Sequence, residues 1–120
     1  MFVTFVAFVT TLLAELTWYD SYSPRTYAGA AAFCASEGSR LATLSEYCDP
    51  ATSAVFGGRK TDGDQWAPFS GGGDNEWVQV GSVSMHAQCK QHTPEHGKPS
   101  WGTSTDAHGL KKYVLCAGQS

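Results

Sequence analysis

The sequence predicts a mixed α+β fold in one small, loop-rich domain. Two short stretches carry helix spacing with start and stop signals. Three others have the aromatic and β-branched patterning of strands. Between them lie Gly- and Asp-rich stretches, and 13 Gly, 4 Trp and 5 Tyr in 120 residues suit turns around an aromatic core better than a helical bundle. A chain of this length, 42% hydrophobic and 16% charged, has room for one modest core and no second domain. Its formal charge of -3, with basic residues scattered apart from Lys111 and Lys112, provides no basic face for a phosphate backbone and argues against a nucleic-acid partner.

Residues 1–14 (MFVTFVAFVTTLLA) contain no charged side chain and are too short to span a bilayer, which needs about 20 apolar residues in a helix. They read as an export signal cleaved after Ala14, leaving residues 15–120 as the mature domain. The segment lacks a basic start and places Leu12 three residues before the cut, so a buried first strand or a truncated gene model remain alternatives.

LTWYDSY (16–22) is the first expected strand. Ser23 or Thr26 can cap the first helix, Pro24 suits its start, and Tyr27, Ala31, Cys34 and Ala35 recur at helical spacing until Gly38. Arg40-Leu41-Ala42 is a short extended link. Thr43-Leu44-Ser45-Glu46 has the form of a capping box and opens a second helix that ends near Cys48-Asp49-Pro50. The segment 57–75 is expected to be loop, with Trp66 and Phe69 to bury. EWVQVGSV (76–83) alternates as a strand, 90–109 is again expected to be mostly loop, and KYVLCA (112–117) closes the chain as a strand.

Four cysteines, Cys34, Cys48, Cys89 and Cys116, form an even set in a small exported domain and permit three disulfide pairings. Zinc is the alternative use: His86, Cys89, His92 and His96 are spaced 3, 3 and 4 residues apart, as on one helical face. Pro94 and Gly97 argue against such a helix, and no CxxC is present.

In order along the chain, RTYAGAAAFCASEGSRLATLSE resembles the opening of a C-type lectin-like domain. There an aromatic starts a helix, a cysteine lies on its inner face, and a Gly-x-x-Leu-Ala-x-Leu run leads into a second helix. EWVQVG is similar to the family's central strand and YVLC to its closing strand, so the resemblance covers roughly residues 16–117. It implies a C-type lectin-like α+β fold, with two short helices packed on small antiparallel sheets and long irregular loops. It also implies that Cys34 bonds Cys116, which leaves Cys48 for Cys89. That second pair departs from the family's usual inner bridge. NEWVQVG and PSWG also resemble stretches of cysteine-bearing domains in algal proteins.

The calcium and sugar triplets of the family's lectins, Glu-Pro-Asn or Gln-Pro-Asp and Trp-Asn-Asp, do not occur here. Asp62, Asp64, Asp74 and Glu76 could supply oxygens to calcium in another way, but Asp and Gly are also ordinary turn residues, so no cofactor is assigned. No GxSxG, HExxH or phosphate-cradling loop is present and the cysteines are better used as bridges, so no catalytic residue is assigned. The expectation is a secreted, disulfide-linked binding module for a carbohydrate or extracellular protein. Its recognition surface is expected to draw on Trp66, Asp74, Asn75, Glu76, His92, His96, Trp101 and His108, with Trp66 and Trp101 as the leading contacts. Histidines in such a loop are ordinarily just solvated; as part of a recognition surface they would favour an acidic ligand below neutral pH.

Overall fold

The structure, a computed structural model, describes residues 15–82, 88–104 and 112–118. Residues 1–14, expected to be an export signal, and His86 and His108 lie outside the described residues. β1 (Leu16–Tyr19) is followed by α1 (Tyr27–Ser36), β2 (Ser39–Leu41), α2 (Leu44–Tyr47), β3 (Gln65–Pro68), β4 (Trp77–Gly81), α3 (His92–His96) and β5 (Val114–Gly118). This is a small α+β fold with short helices and two antiparallel sheets. One sheet has the order β1-β5-β2, and the other pairs β3 with β4.

The local start and stop signals act as their chemistry requires. Thr26 is the cap of α1: its hydroxyl accepts the Gly29 amide at 2.9 Å. At Gly29 a Cβ would collide with the Pro24 carbonyl, so only glycine lets the chain pass there. Gly38, at φ +75°, turns the chain out of α1 and into β2. At the start of α2 the Glu46 carboxylate accepts the Thr43 amide at 2.9 Å and holds Arg40 through two further contacts of 2.7 and 2.8 Å. The strong pairing to the Arg40 guanidinium pulls the Glu46 carboxyl down to about 2.

β5 is the central strand of its sheet, and Val114, Leu115, Cys116 and Ala117 are all buried. Cys34 of α1 bonds Cys116 across a sequence separation of 82, and Cys48 at the end of α2 bonds Cys89 across 41. No described cysteine is free. Tyr47 is fully buried, and its hydroxyl accepts the Leu115 amide at 2.9 Å, joining α2 to β5. Around these links lie two apolar clusters. One gathers Tyr47, Val55, Phe69, Val78 and Leu115; the other gathers Tyr22, Leu41 and Val114 about the Cys34–Cys116 bridge.

Several boundaries and two whole elements depart from the sequence reading. β1 ends at Tyr19 rather than 22, and β5 runs 114–118. A strand, β3, forms inside the stretch expected to be loop, because Trp66, Ala67 and Pro68 bury themselves against β4 and pair with Gln79, Val78 and Trp77. Proline is tolerated there because it closes the strand. A helix, α3, forms over 92–96 despite Pro94. The proline occupies the first turn, where a backbone N–H has no helical acceptor to lose, and Gly97 at φ +81° ends the helix. Cys89 is consumed by its disulfide, so the four-ligand zinc set spaced along one helix is not formed. Among the described residues, no helix is long and apolar enough to cross a membrane, and no group of three or more His, Cys, Asp or Glu converges on a metal position.

Candidate functional site

The 88–91 segment runs along β4: the Cys89 amide donates to the Gln79 carbonyl at 2.8 Å, and the Gln79 amide donates to the Lys90 carbonyl at 2.8 Å. The Cys48–Cys89 bridge anchors this segment to α2, and α3 follows immediately. The fold thereby brings α3 over β3, although 26 residues separate Trp66 from His92 in sequence. The ring of His92 meets the Trp66 indole edge-on at 5.0 Å, and His96 meets the same indole at 6.2 Å. His92 also packs against Trp101 at 5.2 Å, and Trp101 lies 5.0 Å from Trp77, which in turn meets Tyr27 at 6.4 Å. Six rings from α1, β3, β4, α3 and the 97–104 loop thus form a continuous aromatic and imidazole cluster.

Asn75 holds the loops of this cluster together. Its side chain is fully buried; its Oδ1 accepts the Trp77 indole N–H at 2.6 Å, and its Nδ2 donates to the Trp101 carbonyl at 2.9 Å. The Tyr27 amide donates to the Gly102 carbonyl at 2.7 Å, so the start of α1 also fastens the 97–104 loop. Gly102 has to be glycine twice over. Its φ is +96°, and a Cβ there would lie 2.7 Å from Asn75 Oδ1 and 2.9 Å from Trp77 Cζ2. The Tyr27 hydroxyl donates to the Phe69 carbonyl at 2.6 Å, with the Gly73 carbonyl 3.1 Å away. Burial pushes that phenol up, and the negative charges of Glu76 and Asp74 push it further.

These placements revise the sequence reading of individual residues. Trp66, expected as a leading contact, is buried under His92 and His96 with 7% of its surface exposed, because β3 turns it inward. Asn75 belongs to the scaffold, since both ends of its amide are engaged with the protein. His92 and Trp101 are half-buried, and His96 is exposed. Asp74 is exposed and pairs with Lys98 at 2.9 Å, a cation that lowers its carboxyl, and Glu76 is half-buried near them. Asp62 pairs with Arg59 at 2.8 Å and Asp64 accepts from Gln79 at 3.1 Å, so the four acids do not converge on one cation position. Tyr27, Lys98 and Gly102 are members of the site that sequence reasoning missed. The Pro99-Ser100-Trp101-Gly102 turn was the available signal for the last of these.

A hollow of about 560 Å³ lies away from this cluster, bordered by Leu16, Glu46, Cys48, Val55 and Phe56. Its lining is mostly apolar, and its two carboxylates are already engaged, Glu46 with Arg40 and Asp49 with the Ala51 amide. It therefore lacks the convergent polar groups that fix a small ligand, whereas the aromatic and imidazole cluster presents the exposed His96 ring beside the half-buried His92 and Trp101.

Residues 14–119 match the family model described as a domain of unknown function (DUF7495). The chain belongs to this family. No curated protein and no solved structure matches it. In this DUF7495 domain the matched span takes in every described strand and helix, both disulfides and the whole aromatic cluster.

Proposed function

We propose that this DUF7495 domain is an exported binding module of C-type lectin-like fold. It recognises a carbohydrate or protein ligand through His92, His96 and Trp101, with the Asp74–Lys98 pair at the rim, and without the calcium triplets of C-type lectins. The observation that carries the reading is the cluster in which His92 joins Trp66 to Trp101 at 5.0 and 5.2 Å. Aromatic faces stack on sugar rings or on protein side chains, while imidazole and ammonium groups supply directed polar contacts. The fold assignment is supported by the order of elements and by the bridge from α1 to the closing strand. Export is supported by the two disulfides, which persist in oxidising compartments.

A protein partner with no sugar is the second reading. Phe56, 46% exposed beside the apolar hollow, favours it. The test is a glycan array probed with the oxidised domain in calcium-containing and calcium-free buffer, alongside His96→Ala. Calcium-independent binding that weakens in His96→Ala is expected. Binding that requires calcium contradicts the proposal, and silence across the array transfers the reading to a protein partner.

A further inference from the structure

We infer that His92 and His96 form a two-imidazole site for a borderline divalent transition-metal ion, copper(II) or zinc(II). They stand one helical turn apart on α3, which places both rings on the same side of the helix. Their ring centroids are 5.3 Å apart. Two imidazoles that share a cation through metal–nitrogen bonds of about 2.1 Å, at a roughly tetrahedral angle, hold their centroids about 5 Å apart. The pair therefore already has the separation that chelation demands.

A second observation concerns the proton on His92. Its Nδ1 lies 2.9 Å from the Gly97 carbonyl oxygen. A carbonyl only accepts, so Nδ1 carries the hydrogen and the lone pair is left on Nε2. A ring N–H given to a backbone carbonyl is the outer-shell arrangement that fixes the tautomer and orientation of metal-bound histidines. Gly97 can present its carbonyl there because it ends α3 at φ +81°. Trp66 braces both rings from below and Trp101 braces His92 from the side, which limits the side-chain freedom lost on binding.

Donor chemistry narrows the ion. Calcium and magnesium take oxygen ligands, whereas imidazole suits zinc and copper, with copper(II) the tighter of the two. Two protein nitrogens leave coordination positions open for water or for a donor on a bound ligand. The inference stands apart from the recognition reading: the metal is titrated with no ligand present, so an unreactive glycan array and a failure to bind metal are separate results.

The experiment is a titration of the metal-stripped, disulfide-intact domain with copper(II), followed by tryptophan emission. The Trp66 indole lies 5.0 Å from His92, well inside quenching range. Quenching that saturates at one equivalent is expected, with zinc(II) competing and two nitrogen donors visible in the electron paramagnetic resonance spectrum. Loss of an outer-shell partner typically costs 10–100-fold in metal affinity, so loss of a ligand in His96→Gln or His92→Gln is expected to weaken binding roughly 10-fold or more. His96 is exposed, so His96→Gln keeps the fold intact, as far-UV circular dichroism would verify, and it serves even if His92→Gln disturbs the packing. Quenching that never saturates, or saturable binding unchanged in His96→Gln, overturns the inference.

Discussion

Replacing Asn75 with Ala tests whether one buried amide holds the 97–104 loop to the sheet. The substitution removes the acceptor of the Trp77 indole N–H, a 2.6 Å bond to a residue with no exposed surface. Leaving such a donor unsatisfied costs about 1–3 kcal/mol. It also removes the Nδ2 donor to the Trp101 carbonyl, a 2.9 Å bond whose loss adds about 1 kcal/mol. The expected destabilisation is therefore about 2–4 kcal/mol, which for a domain of this size lowers Tm by roughly 10–25 °C. Urea denaturation followed by circular dichroism measures the first quantity. Hydrogen exchange at the Trp101 and Gly102 amides should quicken, because the loop loses its tie to the 70–77 segment. Asn75→Asp keeps an acceptor for Trp77 but turns a carboxylate toward the Trp101 carbonyl, so at neutral pH it should be no more stable than the alanine variant. A loss below about 1 kcal/mol in Asn75→Ala, with exchange unchanged, would refute the assignment of Asn75 as the tie.

The bridges set two further outcomes and the Arg40–Glu46 pair a third. Without reduction, mass spectrometry should find the chain about four mass units lighter than its reduced form, one for each thiol hydrogen lost. In the chain-entropy model, replacing both members of Cys34–Cys116 should cost about 4.5 kcal/mol and of Cys48–Cys89 about 4 kcal/mol, given separations of 82 and 41; denaturation of the two double-alanine variants checks the order. Glu46 has its carboxyl lowered from 4.5 to about 2 by Arg40, so its contribution is complete above about pH 4.5 and drains away as pH falls toward 2. Because the Arg40 side chain is 41% exposed, solvent screening keeps that contribution near 1 kcal/mol, and a stability gap between wild type and Glu46→Gln that fails to narrow over this acid range contradicts the pairing.

Much of the fold was legible from short-range chemistry. Thr26 and Gly38 bound α1, Thr43 and Glu46 open α2, and the alternation in EWVQVG yields β4, because caps, glycine conformations and strand periodicity act over a few residues. Four cysteines announced two disulfides for the same reason: the count needs no geometry. Where a segment's own preferences were weak, the sequence misled. Gln65–Pro68 reads as loop on its own and becomes a strand only because β4 offers backbone partners and cover for Trp66. Pro94 looked like a helix breaker until its position in the first turn of α3 was known.

The candidate site divides along the same line. Aromatic residues and histidines in Gly-rich loops could be picked out one by one as candidates, since their chemistry is local to each side chain. Their burial and mutual contacts could not, because Trp66, Trp77, His92 and Trp101 meet through strand pairing and the Cys48–Cys89 bridge, which act across tens of residues. The sequence determined which groups this domain has to work with. Tertiary structure decided that Trp66 and Asn75 lie beneath the face and that His92 and His96 share it, since burial depends on what packs from the far end of the chain.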